Sequence, residues 1–329
     1  MLAKLALAAG ILGWLVYQLR GEDLFTRLVQ EPKVWSRLAI AQVTVLAAFS
    51  INIVRWYLLV RALDLQFHLG DAFRLGSLGF MLNQVAPGSV GGDLFKAAFI
   101  AKEQPGRKTE AVATVVIDRV VGLYAMLLVA TCGRGLSRSA SESHVGLQTL
   151  STIVAVLAVA ATVGLAVILS WDLAAPRLLA AVQRVPLVGH TATRLLTAVA
   201  AYRHRRRYLL WAIGLSGVAH VLLVLAFWQL SQGLPVYAPS LSQMMLVGPM
   251  SLVAGAIPVT PAGLGTLEAA MDSLFTTVGA APGDGFLVAL AYRVGTYVVA
   301  SLGGIYYFTA RGKVDRLLHD AEELADQIE

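Results

Sequence analysis

The chain has 329 residues, 57% of them hydrophobic and 14% charged, with a mean hydropathy of +0.69 and a formal net charge of +6. Soluble domains carry about 25% charged residues, so this composition excludes a water-covered globular protein and assigns the chain to the membrane class. The basic excess sits in a few loops, which points to membrane topology rather than nucleic acid, and the single cysteine, Cys132, excludes an internal disulfide or a cysteine-rich metal site.

In chain order, residues 2–19 form an apolar body behind Lys4. Arg20-Gly-Glu-Asp follows where a small-residue cleavage site would stand, so the segment is expected to be a retained first span rather than a cleaved leader. Further spans are expected at about 38–60, 111–131, 150–170, 208–230 and 287–310, which makes six, each near the roughly 20 residues that cross a bilayer. Two more apolar stretches, about 70–101 and 240–277, are interrupted. The first breaks at Asn83-Gln-Val-Ala-Pro87-Gly-Ser-Val-Gly-Gly92-Asp93 and the second at Pro258-Val-Thr-Pro261-Ala-Gly-Leu-Gly265. Proline removes a backbone donor and clashes with the preceding turn. Such breaks persist at membrane depth only inside protein or beside a water-filled cavity. Each stretch therefore reads as a re-entrant hairpin of two half-helices, with Pro87, Gly88, Gly91, Gly92, Pro258, Pro261, Gly263 and Gly265 as hinges.

The two breaks repeat one another. Pro87 and Gly91 align with Pro261 and Gly265 without a gap, and an acidic residue follows in each, Asp93 and Glu268. Arg119-Val-Val-Gly122-Leu-Tyr124 then aligns with Arg293-Val-Gly295-Thr-Tyr297 after one deletion, and the proline-to-arginine spacing is the same in both halves. Each unit holds three full spans, an odd number, so the second must be inverted relative to the first. The expected architecture is an all-α polytopic membrane protein, one domain over 1–329. It has six spans and two re-entrant helical hairpins arranged as an inverted repeat, about 1–133 and 150–310. Loop charges set the orientation. Lys4, Lys102, Arg107, Lys108, Arg203, Arg205, Arg206, Arg207 and the basic residues of the 311–329 tail fall on one side. That side is read as cytoplasmic, with both termini and the basic 171–207 loop.

Arg119 and Arg293 lie inside apolar segments, where an arginine costs on the order of 2.5–3.5 kcal/mol by insertion scales. One reading is an anionic headgroup site, since the guanidinium fork suits phosphate oxygens and half-helix N-termini add free N–H groups. The other is internal neutralisation by Asp93, Asp118 and Glu268 as charge-balancing or gating residues. Arg55 either snorkels to the interface or joins the site; Arg74 and Lys96 stand on opposite arms of the first hairpin, where they draw in a headgroup or snorkel; Asn83 caps a half-helix or binds substrate. His220, inside a span, reads as an interhelical hydrogen-bonding residue. No catalytic motif, metal set or Walker loop is visible, so neither cofactor nor metal is expected.

These residues (Asn83, Pro87-Gly-Ser-Val-Gly-Gly-Asp93, Asp118-Arg119-Val-Val-Gly122 and Pro258-Val-Thr-Pro261-Ala-Gly-Leu-Gly265-Thr-Leu-Glu268) resemble the flippase-like membrane domain of lysylphosphatidylglycerol synthases. The resemblance covers about residues 35–310. It implies lipid movement between leaflets, with aminoacylated phosphatidylglycerol as substrate in the fused proteins, and a homodimer. The chain ends soon after the last expected span, so a stand-alone member without the aminoacyl-transferase domain is expected, not an enzyme. The expected function is a lipid flippase of the cell inner membrane, moving a lipid or lipid-linked precursor with a phosphate or other anionic headgroup through a midplane cavity. The alternatives are an integral-membrane transferase acting on a lipid phosphate, and a non-catalytic partner of a lipid-modifying enzyme.

Overall fold

The computed structural model describes residues 24–85, 91–136, 145–170, 205–257 and 263–309, with a few single positions between them. Its described elements are ten helices: α1 Leu24–Gln30, α2 Trp35–Ala62, α3 Leu69–Val85, α4 Gly91–Glu103, α5 Lys108–Leu136, α6 Val145–Ser170, α7 Arg206–Gly233, α8 Leu241–Ala256, α9 Thr266–Thr277 and α10 Asp284–Thr309. Five of them, α2, α5, α6, α7 and α10, are long and apolar enough to cross a membrane. They correspond to five of the expected spans and run a few residues further at nearly every end, because a helix continues into the polar sequence beyond its apolar stretch. The expected span 2–19, the hinge residues Pro87, Gly88, Pro258 and Pro261, most of the 171–207 loop and the 311–329 tail lie outside the described residues.

Both broken stretches form pairs of short helices. α3 and α4 have 17 and 13 residues, α8 and α9 have 16 and 12, all below the length that spans a bilayer. Within each pair the arms run antiparallel. Gly79 of α3 lies against Gly92 and Lys96 of α4, and Gly255 of α8 lies against Leu267 of α9. Gly92 sits inside α4, where a Cβ would overlap the Gly79 carbonyl oxygen. The chain needs glycine there for arm-to-arm contact.

The helices pack in a pattern that repeats when α2, α3, α4 and α5 are exchanged for α7, α8, α9 and α10. α4 packs on α5 as α9 packs on α10; α3 packs on α10, and α8 on α5. α2 and α7, each 28 residues, form the central pair. They run antiparallel, with Arg37 bonded to Gln229 near one end and Arg55 bonded to Ser216 near the other. The α8–α5 contact is closest at Gly133, which lies against the Met245 carbonyl oxygen. Pro249, four residues after Met245, has no N–H to donate to that carbonyl, so a glycine Cα covers an acceptor that the helix itself leaves open. At the equivalent contact, Gly303 of α10 lies against the Ser77 carbonyl of α3. Two main hydrophobic clusters each draw on both halves: one is centred on α2 to α5 and takes in Leu209, Ala212 and Val299, and the other is centred on α7 to α10 and takes in Leu127, Val129 and Ala130. α1 is tied to the start of α10 by Arg27, 3.2 Å from the buried Asp284 carboxylate, which also accepts the Tyr237 N–H.

Candidate functional site

Each pair of short helices carries one acidic residue in the first turn of its second arm: Asp93 in α4 and Glu268 in α9. A carboxylate is favoured there by the free N–H groups and positive dipole end of the helix. Each acid then holds an arginine of the next long helix. Asp93 Oδ2 accepts from Arg119 Nε, and Glu268 Oε1 accepts from Arg293 Nε at 2.5 Å. The alignment of the two sequence repeats is thus also an alignment of two ion pairs.

Their surroundings differ. The Glu268–Arg293 pair is sealed: the side chains are 1% and 7% exposed. Glu268 Oε2 accepts the Gly265 N–H at 2.8 Å, and an Arg293 guanidinium NH2 donates to the Gly263 carbonyl at 3.1 Å. Gly263 and Gly265 both have positive φ, 65° and 83°, a region that only glycine enters freely. The pair therefore fixes the turn at Gly263 and Gly265 that leads into α9. The first pair is open on one side: Asp93 is buried, but the Arg119 side chain is 54% exposed. Lys96 adds a second cation, its Nζ 3.1 Å from Asp93 Oδ1 and 5.0 Å from the centroid of the Trp56 ring. Among the described residues, one carboxylate, Asp93, faces two cations in the first cluster, whereas Glu268 faces Arg293 in the second. Asn83 Oδ1 accepts the Gly92 N–H at 2.8 Å, a cap on the start of α4.

Asp118 serves another arginine than its sequence neighbour. Its Oδ1 accepts from Arg55 Nε at 2.8 Å, and a second Arg55 nitrogen donates to Ser216 Oγ at 2.7 Å. Adjacent residues on a helix project about 100° apart, so Asp118 and Arg119 face different partners. Arg55 is 6% exposed; it does not snorkel, because the carboxylate, the hydroxyl and the space left by Gly122 hold it between α2, α5 and α7. His220 Nδ1 lies 2.7 Å from the Ser216 carbonyl of its own helix, so this contact is intrahelical and not the interhelical one expected. Arg74 stands apart from the clusters, exposed and 3.4 Å from Asp71 one turn earlier. Asp272 accepts the N–H groups of Gly283 and Phe286 and caps the start of α10. Among the described residues, no three histidine, cysteine or acidic side chains converge as a metal-binding group.

The two clusters do not meet at one level. Arg55, beside Asp118, and Gln42, whose amide reaches the Gly295 carbonyl two residues past Arg293, are 13 positions apart on α2. At 1.5 Å per residue the clusters are separated by on the order of 15–20 Å along the helix axis. The contacts that sequence reasoning missed (Trp56, Ser216, Gln42) are single polar or aromatic residues in apolar spans, with no local pattern to mark them.

No curated protein matches the chain. Over residues 1–304 the sequence matches the family described as the lysylphosphatidylglycerol synthase TM region, and the chain belongs to that family.

Proposed function

We propose that the protein moves a lipid, or a lipid-linked precursor, with a phosphate or other anionic headgroup between the leaflets of the cell inner membrane, with both termini cytoplasmic. The observation that carries this reading is the unequal exposure of two equivalent ion pairs: Arg119, beside Lys96, is half-open, and Arg293 is sealed. In an inverted repeat, two equivalent sites in opposite states are what an alternating-access transporter presents when one side is open. The exchanged packing of α3 on α10 and of α8 on α5 supports the inverted arrangement, and the short antiparallel arms support two re-entrant hairpins.

In this reading the headgroup meets the open cluster first. Its phosphate competes with Asp93 for Arg119 and Lys96, since charge-assisted hydrogen bonds to phosphate are strong and the guanidinium fork matches its oxygens. The hairpins, hinged at Pro87, Gly88, Gly91 and Gly92 and at Pro258, Pro261, Gly263 and Gly265, then exchange states, and the headgroup crosses the distance between the clusters toward Arg293. The hairpins gate a path from one cluster to the other, with no single binding point at the midplane. Asp93 and Glu268 close each pair when the lipid has gone, and no covalent step is needed. Arg74 and Asn83 act at the edges, Arg74 as an attractor and Asn83 by shaping the first break. Two copies as a homodimer fit the family.

The test is lipid movement in proteoliposomes of phosphatidylglycerol and phosphatidylcholine carrying a headgroup-labelled phosphatidylglycerol. Arg119→Ala and Arg293→Lys, the second keeping a charge opposite Glu268 but losing the guanidinium fork, should each stop dequenching or reduction across the bilayer while leaving the protein folded by circular dichroism. Wild-type rates in both variants would sink the assignment.

A further inference from the structure

A second feature of the molecule lies on the other face of α10. Between α2, α7 and α10 is a cleft of about 280 Å³, lined by Leu38, Ala41, Val45, Leu230, Ala291 and Gly295, among others. Its lining is apolar apart from Gln42, whose amide is turned to the Gly295 carbonyl at 3.4 Å. Arg293 does not open into it, being committed to Glu268 and Gly263.

The repeat supplies a comparison. With Arg119 aligned to Arg293 and Gly122 to Gly295, the stretch of α5 that holds Ile117, Val120 and Val121 corresponds to the stretch of α10 that holds Ala291, Val294 and Gly295, with Ile117 matched to Ala291, Val120 to Val294 and Val121 to the deleted position. The first trio lines a cavity of only about 70 Å³ between α5, α6 and α7, filled in part by Ala161 and Leu165 of α6. The second trio lines the larger cleft. The difference has a simple origin: Ala291 stands where α5 has the branched Ile117, the branched Val121 has no counterpart, and among the described residues no helix packs on α10 as α6 packs on α5.

One rim of the cleft is cationic. Arg37 is one turn before Ala41 on α2 and shares its face. It donates to Gln229 Oε1 at 3.0 Å and lies over the Trp228 ring, 5.8 Å from the centroid. Among the described residues no carboxylate is paired with it, unlike Arg55, Arg119 and Arg293. Trp228 Nε1 is buried without a hydrogen-bond partner. Trp35, 72% exposed at the start of α2, marks this level as the membrane interface, where lipid phosphates lie.

We infer that this cleft is a phospholipid site: Arg37 holds the phosphate and the α2–α7–α10 cleft holds one acyl chain. The shape selects the occupant. A helix is about 10 Å across and does not enter a cleft of this volume, whereas a single chain lies along the row from Leu38 to Val45. The unpaired cation, at the height of the phosphates, makes the ligand anionic or zwitterionic rather than a neutral lipid. The site stands apart from the two ion-pair clusters, and it is occupied whether or not the protein moves lipids.

The experiment uses the full chain in phosphatidylcholine nanodiscs doped with phosphatidylglycerol bearing a diazirine in one acyl chain. Illumination should place the label on residues 38–45 and 291–295. Arg37→Ala should lower labelling there about tenfold through the loss of one charge-assisted hydrogen bond, and Gly295→Leu should lower it by filling the cleft, each without altering label elsewhere on the protein. The Cβ of a Gly295→Leu side chain meets only the flexible Gln42 side chain, and the rest of the leucine lies toward the cleft that Gly295 lines. A diazirine diacylglycerol, which lacks the phosphate, should label about tenfold less. Equal labelling by the diacylglycerol, or unchanged labelling in both variants, overturns the site. So does efficient disulfide formation between Gly10→Cys and Val294→Cys in a Cys132→Ser background, which would place the chain's own N-terminal segment in the cleft.

Discussion

Glu268 holds Arg293 with one carboxylate oxygen, at 2.5 Å, and the Gly265 N–H with the other, at 2.8 Å. One side chain thereby joins a half-helix start, the turn before it and a membrane-crossing helix. The equivalent Asp93 joins Arg119 and Lys96 instead, and leaves its turn to Asn83.

Removing one member of the sealed pair strands a buried charge, which costs about 3–5 kcal/mol. Glu268→Ala should therefore lower the thermal unfolding midpoint in detergent far more than Asp93→Ala, whose arginine already reaches the surroundings. Equal shifts for the two variants would show that the sealed and open states are not distinct.

The Arg55–Asp118 pair offers a cleaner test of burial. Arg55→Leu alone leaves Asp118 charged between three helices and should be strongly destabilising. The double variant Arg55→Leu, Asp118→Leu should recover most of the loss, on the order of 2 kcal/mol or more. Additive losses in thermal unfolding would mean that the pair contributes through packing alone.

Glycine positions separate close approach from mere composition. Gly92→Ala and Gly133→Ala put a methyl group into the backbone carbonyls of Gly79 and Met245. Both should cost several kcal/mol, with loss of folded protein in size-exclusion profiles. Gly214→Ala, with nothing within 4 Å of the added carbon, should be neutral or raise stability by about 0.5–1 kcal/mol through helix propensity.

Topology can be read with a thiol reagent that does not cross membranes. In a Cys132→Ser background, Glu103→Cys at the base of α4 and Ala281→Cys before α10 should be labelled from opposite sides of the membrane. Labelling of both from one side would refute the inverted repeat.

Much of this was legible in the sequence because it is local. Apolar length located α2, α5, α6, α7 and α10, and the Pro/Gly runs located the gaps between α3 and α4 and between α8 and α9. The equal spacing from proline to arginine marked Arg119 and Arg293 as counterparts, and the carboxylates near them were countable. Which carboxylate meets which arginine was not legible. Asp118 adjoins Arg119 in the chain yet serves Arg55, 63 positions away, because helical rotation separates neighbours and tertiary packing joins α2 to α5. Nor did the sequence distinguish Gly92 as a contact point from a hinge, since its neighbour Gly79 is brought there only by the folding of one arm on the other. The cleft beside Arg37 was invisible for a similar reason: small residues on α2 and α10 leave a void only where the two helices are seen together.

The exchange of supports between the halves has a consequence for assembly. α3 leans on α10, the last described helix to leave the ribosome, and α8 leans on α5 from the other half. The first broken segment thus lacks its main support until nearly the whole chain has been made. Until then α3 and α4, both too short to span the bilayer, lack that cover. Maturation is therefore a late, all-at-once event. A chain truncated before α10 should be retained as a protease-sensitive species, and separately expressed halves should become resistant only when they are made together.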